Sequence, residues 1–114
     1  MDITIPSVLR ASVKHKDLYE NSKYAGSFIS KITKNKETVL IATKNTEKAI
    51  QVFLGSIIYG RIPIIIQSPS SKVSEKEFSQ KMLEIKNQEN PSVCFCDEEN
   101  RKNFEKFFNI ITEI

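Results

Sequence analysis

The chain has 114 residues, 39% of them hydrophobic, with 17 Lys and Arg against 14 Asp and Glu for a net charge of +3, and only three Gly, two Cys and no Trp. That describes one small globular domain, 1–114, able to bury a packed core without staples, since folding at this size hides roughly two-thirds of the unfolded chain's surface. The interspersed charges exclude the basic stripe of a dedicated nucleic-acid binder. The longest apolar stretch, residues 49–59, is broken by Gln51, Gly55 and Ser56 and falls short of the ~20 residues of a membrane span.

Residues 3–5 and 8–13 read as a short irregular hairpin interrupted by Pro6. From about Lys16 to Thr33 the spacing of Leu18, Ala25, Phe28, Ile29 and Ile32 predicts a helix. Gly26 lies in its interior, a costly place for glycine that close helix packing would explain. Residues 38–43 (TVLIAT), 62–67 (IPIIIQ) and 92–96 (SVCFC) predict strands, with Pro63 near the start of its run, where a strand tolerates it.

Between the first two strands, Ala49, Ile50, Phe53, Leu54, Ile57 and Ile58 form a wide apolar face that predicts a buried helix. Asn45 or Thr46 would cap it and Gly60 would end it in a left-handed conformation. Ser74 to Glu77 reads as a capping box opening a helix with the stripe Phe78, Met82 and Ile85, closed by Pro91. A last helix is predicted from about Glu98, carrying Phe104, Phe107, Phe108 and Ile111 on one face. Strands alternating with helices predict a three-layer α/β fold with a small, mostly parallel sheet.

Chemistry is sparse. Gly26, Gly55 and Gly60 are scattered and form no phosphate-binding glycine loop, so the stretch from Ser68 to Ser74, with Lys72, is the only phosphate-loop-like segment; lacking Gly, it reads first as a solvated loop ending in a helix cap and only weakly as an anion site. His15, between Lys14 and Lys16, has no nucleophile in a recognisable setting. Cys94 and Cys96 would share one strand face as small hydrophobes, because no further Cys or His cluster completes a metal site. A phosphoacceptor receiver domain needs clustered carboxylates at the strand ends, and only Asp97 follows a strand here. Tyr19, Tyr24 and Tyr59 sit at helical, core-like spacing rather than as a base-stacking platform.

In their order and spacing, several segments resemble the N-terminal part of the adenylate-forming enzymes, the superfamily of acyl- and aryl-CoA synthetases, peptide-synthetase adenylation domains and luciferase. Residues 13–18 are similar to the family's Leu-Thr-Tyr-x-Glu-Leu helix start, and 21–28 to the polar and small-residue run that follows. Residues 37–46 resemble its strand ending in Pro-Asn-Ser, 53–60 its helix ending in Ala-Gly, 62–66 the next strand, and 90–97 its short Pro-led strand. Lys14, His15 and Tyr59 depart from the pattern, standing where the family has Thr, Tyr and a small residue.

Met1 is followed by Asp2 without the basic and apolar regions of a secretory signal, which predicts a cytoplasmic protein. The resemblance implies an enzyme in which a carboxylic acid attacks the α-phosphate of ATP, with Mg. The acyl-adenylate would then pass to CoA or a carrier protein. The family's phosphate loop, aromatic-Thr-Glu motif, ribose-binding Asp and mobile Lys all lie in later segments, so no catalytic, cofactor-binding or metal-ligating residue is assigned here. These residues would be scaffold, with exposed apolar surface where the remainder of the adenylation domain docks, or where copies self-associate. The alternative is a freestanding α/β binding or interaction module that dimerises through the Phe104, Phe107, Phe108 and Ile111 face. A third reading, unaided binding of adenine nucleotide, would show as a thermal shift with ATP.

Overall fold

A computed structural model describes residues 5–68 and 74–112, with side chains from Asp17 onward. Its elements in chain order are α1 (Ile5–Ile32), β1 (Thr38–Ala42), α2 (Thr46–Ile58), β2 (Ile62–Ile65), α3 (Glu75–Glu89), β3 (Val93–Cys96), a 3-10 turn (Glu98–Asn100), α4 (Arg101–Phe104) and β4 (Ile110–Ile111). The four strands form one parallel sheet in the order β2-β1-β3-β4.

Strand alternation divides the core into two layers. Val39 and Ile41 of β1 and Val93 and Phe95 of β3 pack against Ile29 of α1 and against Ala49 and Val52 of α2. On the opposite face Leu40, Ala42, Cys94 and Cys96 pack against Met82 of α3 and against Phe104 and Phe108. Helices on both faces explain why β1 and β3 are buried at every position and read as apolar runs. The expected three-layer fold is therefore present, and Cys94 and Cys96 are the small core residues that their spacing implied.

Helix ends fall where the caps were expected. Asn45 Oδ1 accepts the Lys48 N–H at 3.1 Å, and Ser74 Oγ accepts the Glu77 N–H at 3.1 Å. At the far end of α2, Gly60 adopts φ +76, with Arg61 N–H donating to Ser56 O and Gly60 N–H to Ile57 O, so the last carbonyls are satisfied by a left-handed reversal. Asn90, φ 45, does the same for α3 ahead of Pro91.

Three expectations are corrected. The segment read as an N-terminal hairpin is helical from Ile5, because Pro6 falls in the first turn, where a missing N–H costs no hydrogen bond and the fixed φ suits a helix. The last helix ends at Phe104, and Ile110–Ile111 form a fourth strand. Their β-branched side chains suit a strand, and Asn109 O accepts the Cys94 N–H that would otherwise point off the sheet edge. Phe104 and Phe108 are buried, and Ile110 and Ile111 pack on opposite sides of the sheet, so the four-residue dimer face does not exist as one surface. Finally, α2 buries Ala49, Val52, Gly55 and Ser56, whereas Ile50, Ile57 and Ile58 stand exposed, because small residues lie where α2 meets α1 and the sheet.

Candidate functional site

In an open parallel sheet, ligands collect at the carboxyl ends of the strands, where the chain reverses its direction of winding. Here α2 carries the chain from β1 to β2 over one face, and α3 carries it back across to β3 over the other, so that point lies between β1 and β3. A small crevice of about 80 Å³ opens there, lined by Thr43, Asn45, Lys48, Cys96, Asp97 and Thr112, with Val52 and Phe95 as its floor.

Its polar groups are engaged with one another. Thr43 Oγ1 donates to Asp97 Oδ1 at 2.5 Å, the Lys44 N–H donates to Asp97 Oδ2 at 2.9 Å, and the Asn45 N–H donates to Thr43 Oγ1 at 3.1 Å. Asp97 therefore braces the end of β3 against the end of β1 and opens the way into α2, rather than standing free as a base. Above it Lys44 Nζ lies 3.2 Å from Glu99, an exposed pair worth little. The crevice has room for no more than a few waters and is far below the volume of a nucleotide pocket.

Of the residues singled out in the sequence, Lys72 and most of the Ser68 to Ser74 stretch lie outside the described residues, as does the His15 side chain. Ser68 Oγ donates to Ala42 O at 2.8 Å and Ser74 caps α3, so both ends of that stretch serve the fold. Burial and a hydrogen bond to Cys96 raise the Cys94 thiol far above its ordinary range, the hydrogen bond being the larger cause. Among the described residues no three His, Cys, Asp or Glu side chains gather as a metal site, and no helix is long and apolar enough to cross a membrane.

Sequence reasoning missed Arg61. Its guanidinium donates to Tyr59 O at 2.6 Å, Thr33 O at 2.5 Å, Ser30 O at 3.2 Å and Thr33 Oγ1 at 2.9 Å, closing the carboxyl end of α1. Its only sequence signal is a basic residue just after the helix-ending Gly60, which does not reveal that its partners lie on another helix.

Part of what the described residues present to the outside is apolar. Tyr24, Phe28 and Ile32 are exposed one turn apart along α1, and Ile50, Ile57 and Ile58 along α2. The fold is similar to that of one segment of several larger enzymes of known structure. A fatty acyl-adenylate ligase from a study of the E. coli and L. pneumophila enzymes superposes with a TM-score of 0.77 at 10% identity, covering 84% of this chain and 19% of that one. O-succinylbenzoate coenzyme A synthetase from Bacillus subtilis, in complex with AMP, gives 0.63 at 14% identity, covering 82% and 23%. ATP-bound MatB from Rhodopseudomonas palustris gives 0.61 at 12%, covering 82% and 18%. The chain thus spans about a fifth of these enzymes' length. No protein-family model matches the sequence, and no curated protein matches it.

Proposed function

We propose that this chain is the N-terminal scaffold of an ATP-dependent acid-activating ligase, one that forms an acyl-adenylate and passes the acyl group to CoA or a carrier protein. Taken alone, the 114 residues are inactive. The observation that carries this reading is that more than four-fifths of the chain superposes on part of enzymes whose names state acid adenylation or CoA ligation. The order of sequence segments from residue 13 to 97 supports it independently.

ATP, as substrate of the complete enzyme, supplies the α-phosphate that the carboxylate attacks, and Mg would accompany it. The described residues do not fit either group. The switch-point crevice is too small for a nucleotide, its one carboxylate is held by Thr43 and Lys44, and the glycines lie at helix contacts and ends rather than in a phosphate loop. The chain's own contribution is to hold a rigid αβα layer.

Acid-dependent exchange of pyrophosphate into ATP tests the reading, measured on the complete product of the reading frame that encodes this chain and on the 114 residues alone. Exchange by the former and none by the latter is expected. A complete product that shows no exchange with any of a panel of aliphatic, aromatic and amino acids would sink the ligase assignment.

A further inference from the structure

The strongest unexplained surface is the flank of α2 that overhangs β2. Gly55 faces α1, and Ala49, Val52 and Ser56 face inward, so continuing around the 3.6-residue turn places Phe53, Ile57 and Ile50 on the flank away from α1. Beneath that flank lies β2, an edge strand. Parallel register pairs Pro63 with Val39 and Ile65 with Ile41, and Val39 and Ile41 face α1 and α2, so Pro63 and Ile65 face the same side. Ile57 is 52% and Ile65 53% exposed, and no charged residue stands among these five. Uncharged apolar surface of this kind is what the centre of a protein interface looks like, and a solvated face rarely does.

The backbone limits what can cover it. Ile62 N–H donates to Glu37 O and Ile66 N–H to Ile41 O, so the even positions of β2 face β1 and the odd positions face outward. Of the outward pair, Pro63 has no N–H, leaving Ile65 as the one free donor. A symmetric strand ladder with a second copy is thereby blunted. We propose that this face is covered by an apolar layer of the longer ligase polypeptide, packed side chain to side chain on Ile50, Phe53, Ile57, Pro63 and Ile65. The proposal rests on the ligase reading, and the size of the occupant follows from the comparisons, in which this fold makes up only 15–26% of each enzyme.

Hydroxyl-radical footprinting of the complete product and of the isolated 114 residues, with acid-dependent pyrophosphate exchange measured on the same preparations, tests it. Labelling of Ile57 and Ile65 is expected to fall at least fivefold in the complete product. Ile57→Glu should lower the melting temperature of the complete product and leave that of the isolated chain unchanged, with the milder Ile57→Thr giving the same contrast if the first does not fold. An exchange-active product in which Ile57 and Ile65 label as in the isolated chain overturns the docking proposal and leaves the ligase reading standing. A frame with nothing beyond Ile114 removes both. Concentration-dependent dimers of the isolated chain that Ile57→Glu abolishes, with unchanged labelling in the longer product, would assign the face to a second copy and overturn the proposal.

Discussion

Gly26 of α1 and Gly55 of α2 meet backbone to backbone. A Cβ on Gly26 would lie 2.5 Å from Gly55 O and 2.9 Å from Gly55 C, and one on Gly55 would lie 2.7 Å from Gly26 N and closer still to Ser22 O. Ser22 and Ser56, both fully buried, extend this strip of small residues, so the two helices approach more closely than any larger side chain permits. Backbone cannot rotate aside as a side-chain tip can. Gly26→Ala and Gly55→Ala should each destabilise the fold by about 1–3 kcal/mol, the usual cost of forcing extra volume into a packed contact. At this chain length that corresponds to roughly 4 °C of melting temperature per kcal/mol. The double variant should cost less than the sum, because the helix separation forced by one alanine makes room for the other. Additive losses would mean that the two glycines are not one contact.

The Asp97 brace predicts a second coupling. Removing the carboxylate in Asp97→Ala leaves the Thr43 hydroxyl and the Lys44 N–H without their partner, and should cost about 1–3 kcal/mol in urea unfolding. Thr43→Ala should cost less, and its effect should shrink further in the Asp97→Ala background. Equal effects of Thr43→Ala in both backgrounds would show that the two strand ends are not joined through this pair.

Much of this architecture was legible in the sequence, and the exceptions share a cause. β1, β2 and β3, the Asn45 and Ser74 caps and the Gly60 reversal follow from patterns confined to a few neighbouring residues, so local physics reveals them. The interior Gly26 pointed to close helix packing, although its partner Gly55 sits 29 positions away and could not be named. α4 and β4 could not be read, because Phe104, Phe107, Phe108 and Ile111 satisfy helical spacing while the unpaired edge of β3 takes Ile110 and Ile111 as a strand. Which side of α2 is buried depends on α1 and β2 together, so the widest apolar face misled, and the exposed isoleucines became the informative feature. The candidate site was the least legible part, since Asp97 acquires its role from Thr43 and Lys44 on another strand's end.

Arg61 should resist conservative replacement. A lysine is a point charge on a flexible stem and cannot span carbonyls on both Ser30 and Thr33 while also reaching Tyr59 O. Arg61→Lys should therefore lose about 1.5–3 kcal/mol, nearly as much as Arg61→Ala, through unsatisfied carbonyls at the end of α1. Retention of wild-type stability by the lysine variant would show that charge near the helix terminus, rather than the planar fork, is what matters.

Both thiols should be silent in the native protein. Cys94 and Cys96 lie in the core, and Cys94 is held protonated by its hydrogen bond to Cys96 and by burial. An aromatic disulfide reagent at pH 8 should titrate two thiols in denaturant and react slowly without it, at a rate that follows the population of opened molecules. Immediate reaction of one thiol under native conditions would place Cys96 in reach of solvent through the crevice.

Acid should weaken the α1–β1 turn. Glu37 Oε1 accepts the Lys34 N–H at 2.6 Å while the Glu37 N–H donates to Lys34 O, closing a turn in which Lys36 adopts φ 69. That backbone hydrogen bond, aided by a hydrogen bond from Ser92 and the charges of Lys34 and Arg61, holds the carboxyl below its ordinary range against the opposing effect of burial. A carboxylate whose folded pKa is depressed contributes stability that is present above the unfolded pKa and is lost as pH falls through the folded one. The difference in urea midpoint between the wild type and Glu37→Gln should therefore be constant near neutral pH and close progressively on acidification, beginning near pH 4.5, the ordinary glutamate value. A difference that persisted unchanged into strong acid would mean that the side-chain amide fails for steric reasons, and that the charge of Glu37 contributes nothing to the turn.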